Sequence, residues 1–292
     1  GYEDEVRQFI WKRARDCADR VMIDRLGSVI AIKEGDEHSD RNVLIDAHMD
    51  EVGMLVSGID EKGFVHFIPI GGMDARILPS TRVLVGSGRV RGVIGIKAIH
   101  MQQGDEQGKP IELDKMVIDV GASSREAAQK LVSVGDPVIF DSKFTLFGDG
   151  MVKSRALDDR VGCALLLEAL EERYPVTVTA VFSVQEEVGG HGAEVAGYAL
   201  EPDIAIAVDV CHATGAGASA PEAMPLDKVG LLTGPVIHPK LLEIAREAAR
   251  ENKIDIQIEA SGGKAVALAP GDAGTVQRDI HHDLVEGTVR EC

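Results

Sequence analysis

Four short polar clusters interrupt apolar stretches of this 292-residue chain, and their residue types are ones that bind divalent metal. The first is Ala47-His48-Met49-Asp50. His48 follows an apolar run. Asp50, two residues on, is placed to take the second N–H of the imidazole, as the outer partner of a metal-bound histidine does. Taken alone, a structural histidine would look the same. The second cluster, Ala156-Leu157-Asp158-Asp159-Arg160, directly precedes an apolar helical pattern. Asp158 there could simply cap the helix, or it could span two metals with one oxygen on each. The third, Gln185-Glu186-Glu187-Val188-Gly189-Gly190, follows the apolar run PVTVTAVFSV. Two acids past a buried strand are costly unless partnered, whereas on a solvated turn they are trivial. The fourth is Asp209, set in the apolar run Ala207-Val208-Asp209-Val210, where a hydrogen-bonded structural role is the plain alternative.

The conjunction says more than any cluster does. One histidine and several carboxylates at successive strand ends make an N/O donor set that suits Zn²⁺, Co²⁺ or Mn²⁺. Paired ions of this kind polarise a carbonyl, acidify water and clamp a substrate. A free carboxylate must then accept the water's proton and pass it on. Glu186 beside Glu187 offers that division of labour: one base, one ligand.

The elements that would position these residues can be read from periodicity. Val6, Phe9, Ile10, Cys17 and Val21 recur at helical spacing, predicting a helix over 3–22, and β-rich runs follow at Val29–Lys33 and Val43–Ala47. From about 55 to 150 the texture becomes short alternating runs separated by glycines and charged turns, an all-β pattern broken by a helical stretch near 124–131. Beyond 153, helices (161–170, 193–200, 239–252) alternate with strands (176–184, 204–210, 254–259). That rhythm predicts a mixed sheet flanked by helices. The expected organisation is an α/β domain, 1–54 and 151–292, interrupted by an inserted all-β, barrel-like domain at 55–150. Polar clusters at strand ends are where open α/β sheets place their ligands.

Composition narrows the partners. A formal charge of −17 repels phosphate backbones, which argues against nucleic acid. No apolar run reaches the roughly 18 residues of a membrane helix, so no membrane partner is expected. Cys17, Cys163, Cys211 and Cys292 are widely spread without a CxxC pair, as expected of reduced thiols in a cytoplasmic protein. No signal-peptide pattern is visible, and because the chain opens on Gly1 in what already reads as helix, its natural N-terminus is expected upstream.

The stretches DAHMDEVGMLV, ALDDRVGCALLLEAL, VQEEVGGHGA and IAIAVDVCHAT, in this order, resemble the tetrahedral aminopeptidases, the glutamyl/deblocking aminopeptidase family of co-catalytic metallopeptidases. The resemblance covers most of the chain. It implies a zinc-exopeptidase-like fold, two divalent ions per subunit (zinc or cobalt, with manganese a further option), peptide substrates and a large homo-oligomer, typically a dodecamer with dimer contacts from the β domain. It further implies that His48 and Asp209 bind one metal and Glu187 the other. Asp158 would bridge, with Asp159 following across an unusual peptide bond. Glu186 would be the general base, and Asp50 would orient His48. The last ligand would come from an R-x-x-H element, which Arg278-Asp279-Ile280-His281 fits, with His282 as the neighbouring alternative. The family has longer spacing before this element and between Ile237 and His238, so segments are expected to be missing from the sequence at 237–238 and within 262–278.

The same residues are compatible with other activities. Some relatives carry endoglucanase labels, but one Trp and three Tyr give little aromatic platform for a sugar chain. A metal-dependent deacylase or carboxypeptidase would use the same donor set. A catalytically decayed assembly protein is the non-enzymatic alternative.

Overall fold

The computed structural model describes residues 1–36, 41–97, 111–215, 223–260 and, for the backbone alone, 275–278. In chain order it begins with α1 (Asp4–Cys17), β1 (Arg20–Ile23), β2 (Val29–Lys33) and β3 (Asn42–His48). Six strands follow, β4 (Gly53–Ile59), β5 (Val65–Ile70), β6 (Arg82–Val85), β7 (Val90–Gly95), β8 (Val117–Asp119) and β9 (Pro137–Phe140), with α2 (Arg125–Gln129) before β9. β10 (Thr145–Phe147) and β11 (Met151–Lys153) pair with one another. The remainder is α3 (Leu157–Ala169), β12 (Thr177–Ser183), α4 (His191–Leu200), β13 (Ile204–Val208), β14 (Val229–Thr233), α5 (Pro239–Glu251), β15 (Ile256–Ala260) and β16 (Thr275–Arg278).

Two compact units result, one of residues 1–50, 149–151 and 156–292, the other of 51–148 and 152–155. The first is built on an eight-stranded mixed sheet in the order β1-β2-β12-β3-β13-β16-β14-β15. Alternation along β2 shows how its two faces are filled. Val29 and Ala31 pack with Ile10 and Ala14 of α1 and with Cys163, Leu166 and Leu167 of α3. Ile30 and Ile32 point the other way, towards Ala193 and Ala196 of α4. Strands covered on both faces read as continuous apolar runs, and Thr177–Ser183 is buried at every position after its first.

The second unit closes six strands into a barrel, β4-β5-β8-β7-β6-β9. The period of two sends Met54 and Val56, Val65 and Phe67, and Val83 and Val85 into its core. Ile68, next after Phe67, is half exposed.

The N-terminal helix is shorter than periodicity predicted. Ala18 is extended (φ −106°, ψ 153°), and Asp19 N–H donates to the Ile32 carbonyl at 2.9 Å. Val21 therefore lies on an edge strand paired with Ala31 rather than on a fifth helical turn. Sheet pairing outcompetes helix propagation once β2 offers a partner. Where the first segment is expected to be missing, at 237–238, the residues present form a turn in which Ile237 N–H donates to Gly234 O at 3.1 Å and His238 caps α5. The second expected gap falls mostly outside the described residues.

Candidate metal centre

Sheet order explains why distant clusters meet. β12, β3 and β13 are adjacent and parallel, so their carboxyl ends open on one edge. His48 ends β3 in register with Ser183, the end of β12, and Asp209 directly follows β13. α3 delivers Asp158 to the same edge. His48 Nε2 lies 3.1 Å from Asp158 Oδ1, 3.9 Å from Asp209 Oδ1 and 3.9 Å from Glu186 Oε2. Donor atoms of His48, Asp158 and Asp209 all fall within 4.8 Å of one another. His48 is 3 % exposed while Asp158 is 57 % exposed, so the cluster has a buried floor and an open mouth.

Asp159 is the acid that caps the start of α3, through Gly162 N–H, which leaves Asp158 at the mouth of the cluster. Asp158 makes no capping bond to its helix. Its backbone (φ −82°, ψ 108°) and that of Asp159 are non-helical, the peptide between them is cis, and Ala156 before them is left-handed at φ 57°. Glu186 and Glu187 are not a free solvated turn either. Their main-chain N–H groups donate to Asp50 Oδ1 at 3.1 Å and Oδ2 at 3.2 Å. Asp50 Oδ1 also stands 3.4 Å from His48 Nδ1, wider than a formed hydrogen bond. Asp50 thus ties the acid pair to the histidine strand, a duty the spacing did not suggest.

The turn bearing the acids depends on glycine. Gln185 takes φ 63°, and the chain closes through Gly190 N–H to Gln185 O at 2.9 Å and Gly192 N–H to Val184 O at 3.0 Å. A Cβ on Gly192 would overlap the Val184 carbonyl oxygen and lie 2.6 Å from its nitrogen. Backbone cannot yield as a side-chain tip does. Gly192→Ala is therefore expected to cost about 1–3 kcal/mol, the range for overpacking, read as a lowered thermal midpoint. An unchanged midpoint would show that the approach is not that close.

Electrostatics mark the cluster as short of positive charge. Burial, reinforced for Glu187 and Asp159 by neighbouring acids, raises the carboxyls of Glu187 and Asp209 to about 7 and of Asp159 to about 9. Burial likewise raises Glu186. Burial would lower His48, but the contact with Asp158 and the negative charge of Asp50 beside the ring outweigh it and push the imidazole up to about 11. Burial would also raise Asp50, yet His48 and the two main-chain donors hold it below its ordinary value. Divalent cations fit such a centre. The donors are hard oxygens and one imidazole nitrogen, and buried polar atoms beside them, His48 Nδ1 and Asp159 Oδ2, have no hydrogen-bond partner.

Three supporting residues were given no role from sequence. Asp159, 0 % exposed, accepts from Gly162 N–H at 3.1 Å. Arg160 Nε donates to Met49 O at 3.2 Å, and the Cys163 thiol donates to His48 O at 3.3 Å, so α3 clasps the end of β3. Cys163 is buried and its thiol is held well above the ordinary value by desolvation. Cys211 and His212, near Asp209 in sequence, are exposed. His281 and His282 lie outside the described residues.

A family model described as M42 glutamyl aminopeptidase matches residues 27–282. The lysyl aminopeptidase of Pyrococcus furiosus is 35 % identical over 269 residues, spanning 89 % of this chain and 77 % of the relative. Among solved structures, the aminopeptidase APDkam598 of Desulfurococcus kamchatkensis is 33 % identical with a TM-score of 0.90, covering 99 % of this chain and 88 % of that one. The TET1 peptidase of Pyrococcus horikoshii, described as assembling into a tetrahedron or a large octahedral shell, is 29 % identical with a TM-score of 0.81, covering 99 % and 92 %.

Proposed function

Because the chain belongs to the M42 glutamyl aminopeptidase family, we propose that it removes N-terminal residues from peptides with two divalent cations, held by His48, Asp158, Asp209 and Glu187, with His281 as a fifth ligand. The convergence of His48, Asp158 and Asp209 at one sheet edge, with Glu186 3.9 Å from His48, is the observation that carries this reading. When bound, the cations supply Lewis-acid polarisation of the scissile carbonyl and acidify the attacking water.

The chain's own residues divide the rest. Asp158, exposed at the mouth of the cluster, would be the ligand shared by the cations. Asp50 holds the Glu186–Glu187 main chain and faces His48, fixing base and ligand in one frame. Glu186 would accept a proton on its carboxylate as the water oxygen bonds to the scissile carbonyl carbon, and return it to the amine nitrogen as the peptide C–N bond breaks, leaving a carboxylic acid and a free amine. The buried wall beneath His48 keeps bulk water from one side of the centre and strengthens these interactions.

We further propose a homo-oligomer of the tetrahedral, twelve-subunit kind, which the likeness to a shell-forming peptidase supports; light scattering on the purified protein checks it. Among the described residues no helix is long and apolar enough to cross a membrane. Among the described residues Cys17 and Cys163 form no disulfide, which suits a reducing, cytoplasmic setting.

The deciding experiment is hydrolysis of Glu-, Leu- and Lys-p-nitroanilides by chelator-treated protein before and after Co²⁺ or Zn²⁺ is restored. Activity should vanish on chelation and return with metal, while an N-acylated amino acid and carboxymethylcellulose stay intact. Activity indifferent to chelator would overturn the metal-dependent reading, and cleavage of N-acylated substrates alone would replace it with a deacylase. The same panel reads out which N-terminal residue is preferred.

A further inference from the structure

Asp46 sits in the middle of β3, 7 % exposed. Strand alternation places it on the same face as His48, two residues further along. Its Oδ2 accepts a 3.2 Å hydrogen bond from Ser183 Oγ, while Oδ1 has no hydrogen-bond partner. Ser183 is itself buried, ends β12 and pairs with His48 in the parallel ladder. Its carbonyl accepts from Met49 N–H at 2.8 Å. One side-chain bond and one main-chain bond therefore tie β3 to β12 on either side of the His48 position. Glu186 and Glu187 lie just past Ser183, so these two strands carry opposite halves of the centre.

Stability alone does not call for this arrangement. A buried acid with one oxygen unpaired is a cost, and an apolar pair of similar size would pack between the strands without it. A polar bond does supply direction, which apolar packing lacks: it runs diagonally from Asp46 of β3 to Ser183, the residue of β12 that stands opposite His48.

We propose that Asp46 and Ser183 are positioning residues for the metal centre, locking the strand that presents His48 to the strand that presents Glu186 and Glu187. This rests on the metal-dependent reading above. Removal of the lock should loosen the distance between the two sets of donors, so that cation affinity and ligand-field geometry change before the fold does.

The test uses metal-stripped full-length protein titrated with Co²⁺ by calorimetry, with the visible absorption spectrum of the loaded form recorded alongside. Ser183→Ala and Asp46→Ala should each weaken Co²⁺ binding by about 10–100-fold, as loss of outer partners does, and alter the spectrum. Asp46→Asn keeps the size and can still bond Ser183, so it should recover most of the affinity and the parental spectrum. Thermal melts of the stripped variants report folding separately, and if Asp46→Ala does not fold, Ser183→Ala decides. Folded Ser183→Ala protein with parental affinity and spectrum overturns the proposal. So does an Asp46→Asn variant as weak as Asp46→Ala, since charge rather than the bond would then matter. A parent that takes up no divalent ion fails at the earlier step, overturning the metal-dependent reading and this inference with it.

Discussion

Glu186→Gln is expected to lower kcat on aminoacyl-nitroanilides by about 10²–10⁴-fold, the contribution typical of a positioned acid–base group, while leaving the bound metal in place. The substitution changes one oxygen to an amide nitrogen and little else. Glu186 N–H still donates to Asp50, because that bond is made by main chain, and the turn through Gly190 and Gly192 is untouched. What disappears is the ability to accept a proton and return it. KM should change little, since the lost interaction forms only as the bond breaks. Glu187→Gln makes the contrast: as a ligand change it should lower metal content first and activity in consequence. Metal analysis by atomic emission beside steady-state kinetics separates the two. A Glu186→Gln enzyme keeping more than a tenth of its kcat would remove Glu186 from the base role. Full activity loss accompanied by metal loss would make it a ligand.

The centre's legibility in sequence followed from strand ends. His48, Asp209 and the Glu186–Glu187 pair each terminate an apolar run long enough to be a buried strand, and adjacent parallel strands bring such ends together without further information. The mixed sheet and the β module followed from the same periodicity. What the sequence does not display depends on side-chain orientation. Asp46 lies inside NVLIDAH, where the sequence is equally compatible with an acid facing solvent; the structure shows that it faces Ser183. Asp159 reads as the second acid of a helix start, yet it is turned inward by non-helical backbone that no composition pattern encodes. The side-chain bonds from Arg160 and Cys163 to the main-chain carbonyls of Met49 and His48 join positions more than a hundred residues apart, which residue type alone does not announce. The overlong first helix has a similar origin: Val21 satisfies a helical period and a strand position equally, and the partner strand decides.

Asp158→Asn should cost more activity than any other single ligand change, because the proposed role of Asp158 touches both cations. Lewis-acid stabilisation by bound metal is worth several kcal/mol, and at about 1.4 kcal/mol per tenfold its loss corresponds to about 10³-fold or more in rate. The informative readout is stability. Without metal, the carboxyls of Asp209 and Glu187 are raised to about 7 from ordinary values near 4. Between pH 4 and 7 the folded state then binds more protons than the unfolded state, so metal-free stability falls as pH rises through that window. His48, raised to about 11, acts in the same direction above its ordinary value near 6.5, its contribution present at low pH and lost as pH climbs. Chelated parent protein should accordingly melt lower at pH 8 than at pH 5. Saturating Co²⁺ should reverse the deficit at pH 8, by about 4 kcal/mol when the ion stands at a thousand times its Kd. Asp158→Asn removes one of the acids that raise Asp209 and Glu187, so the stripped variant should depend less on pH than the stripped parent. It should also gain little from Co²⁺. A variant that loses activity yet keeps the full metal-induced rise in melting temperature would show that Asp158 serves the substrate rather than the cations.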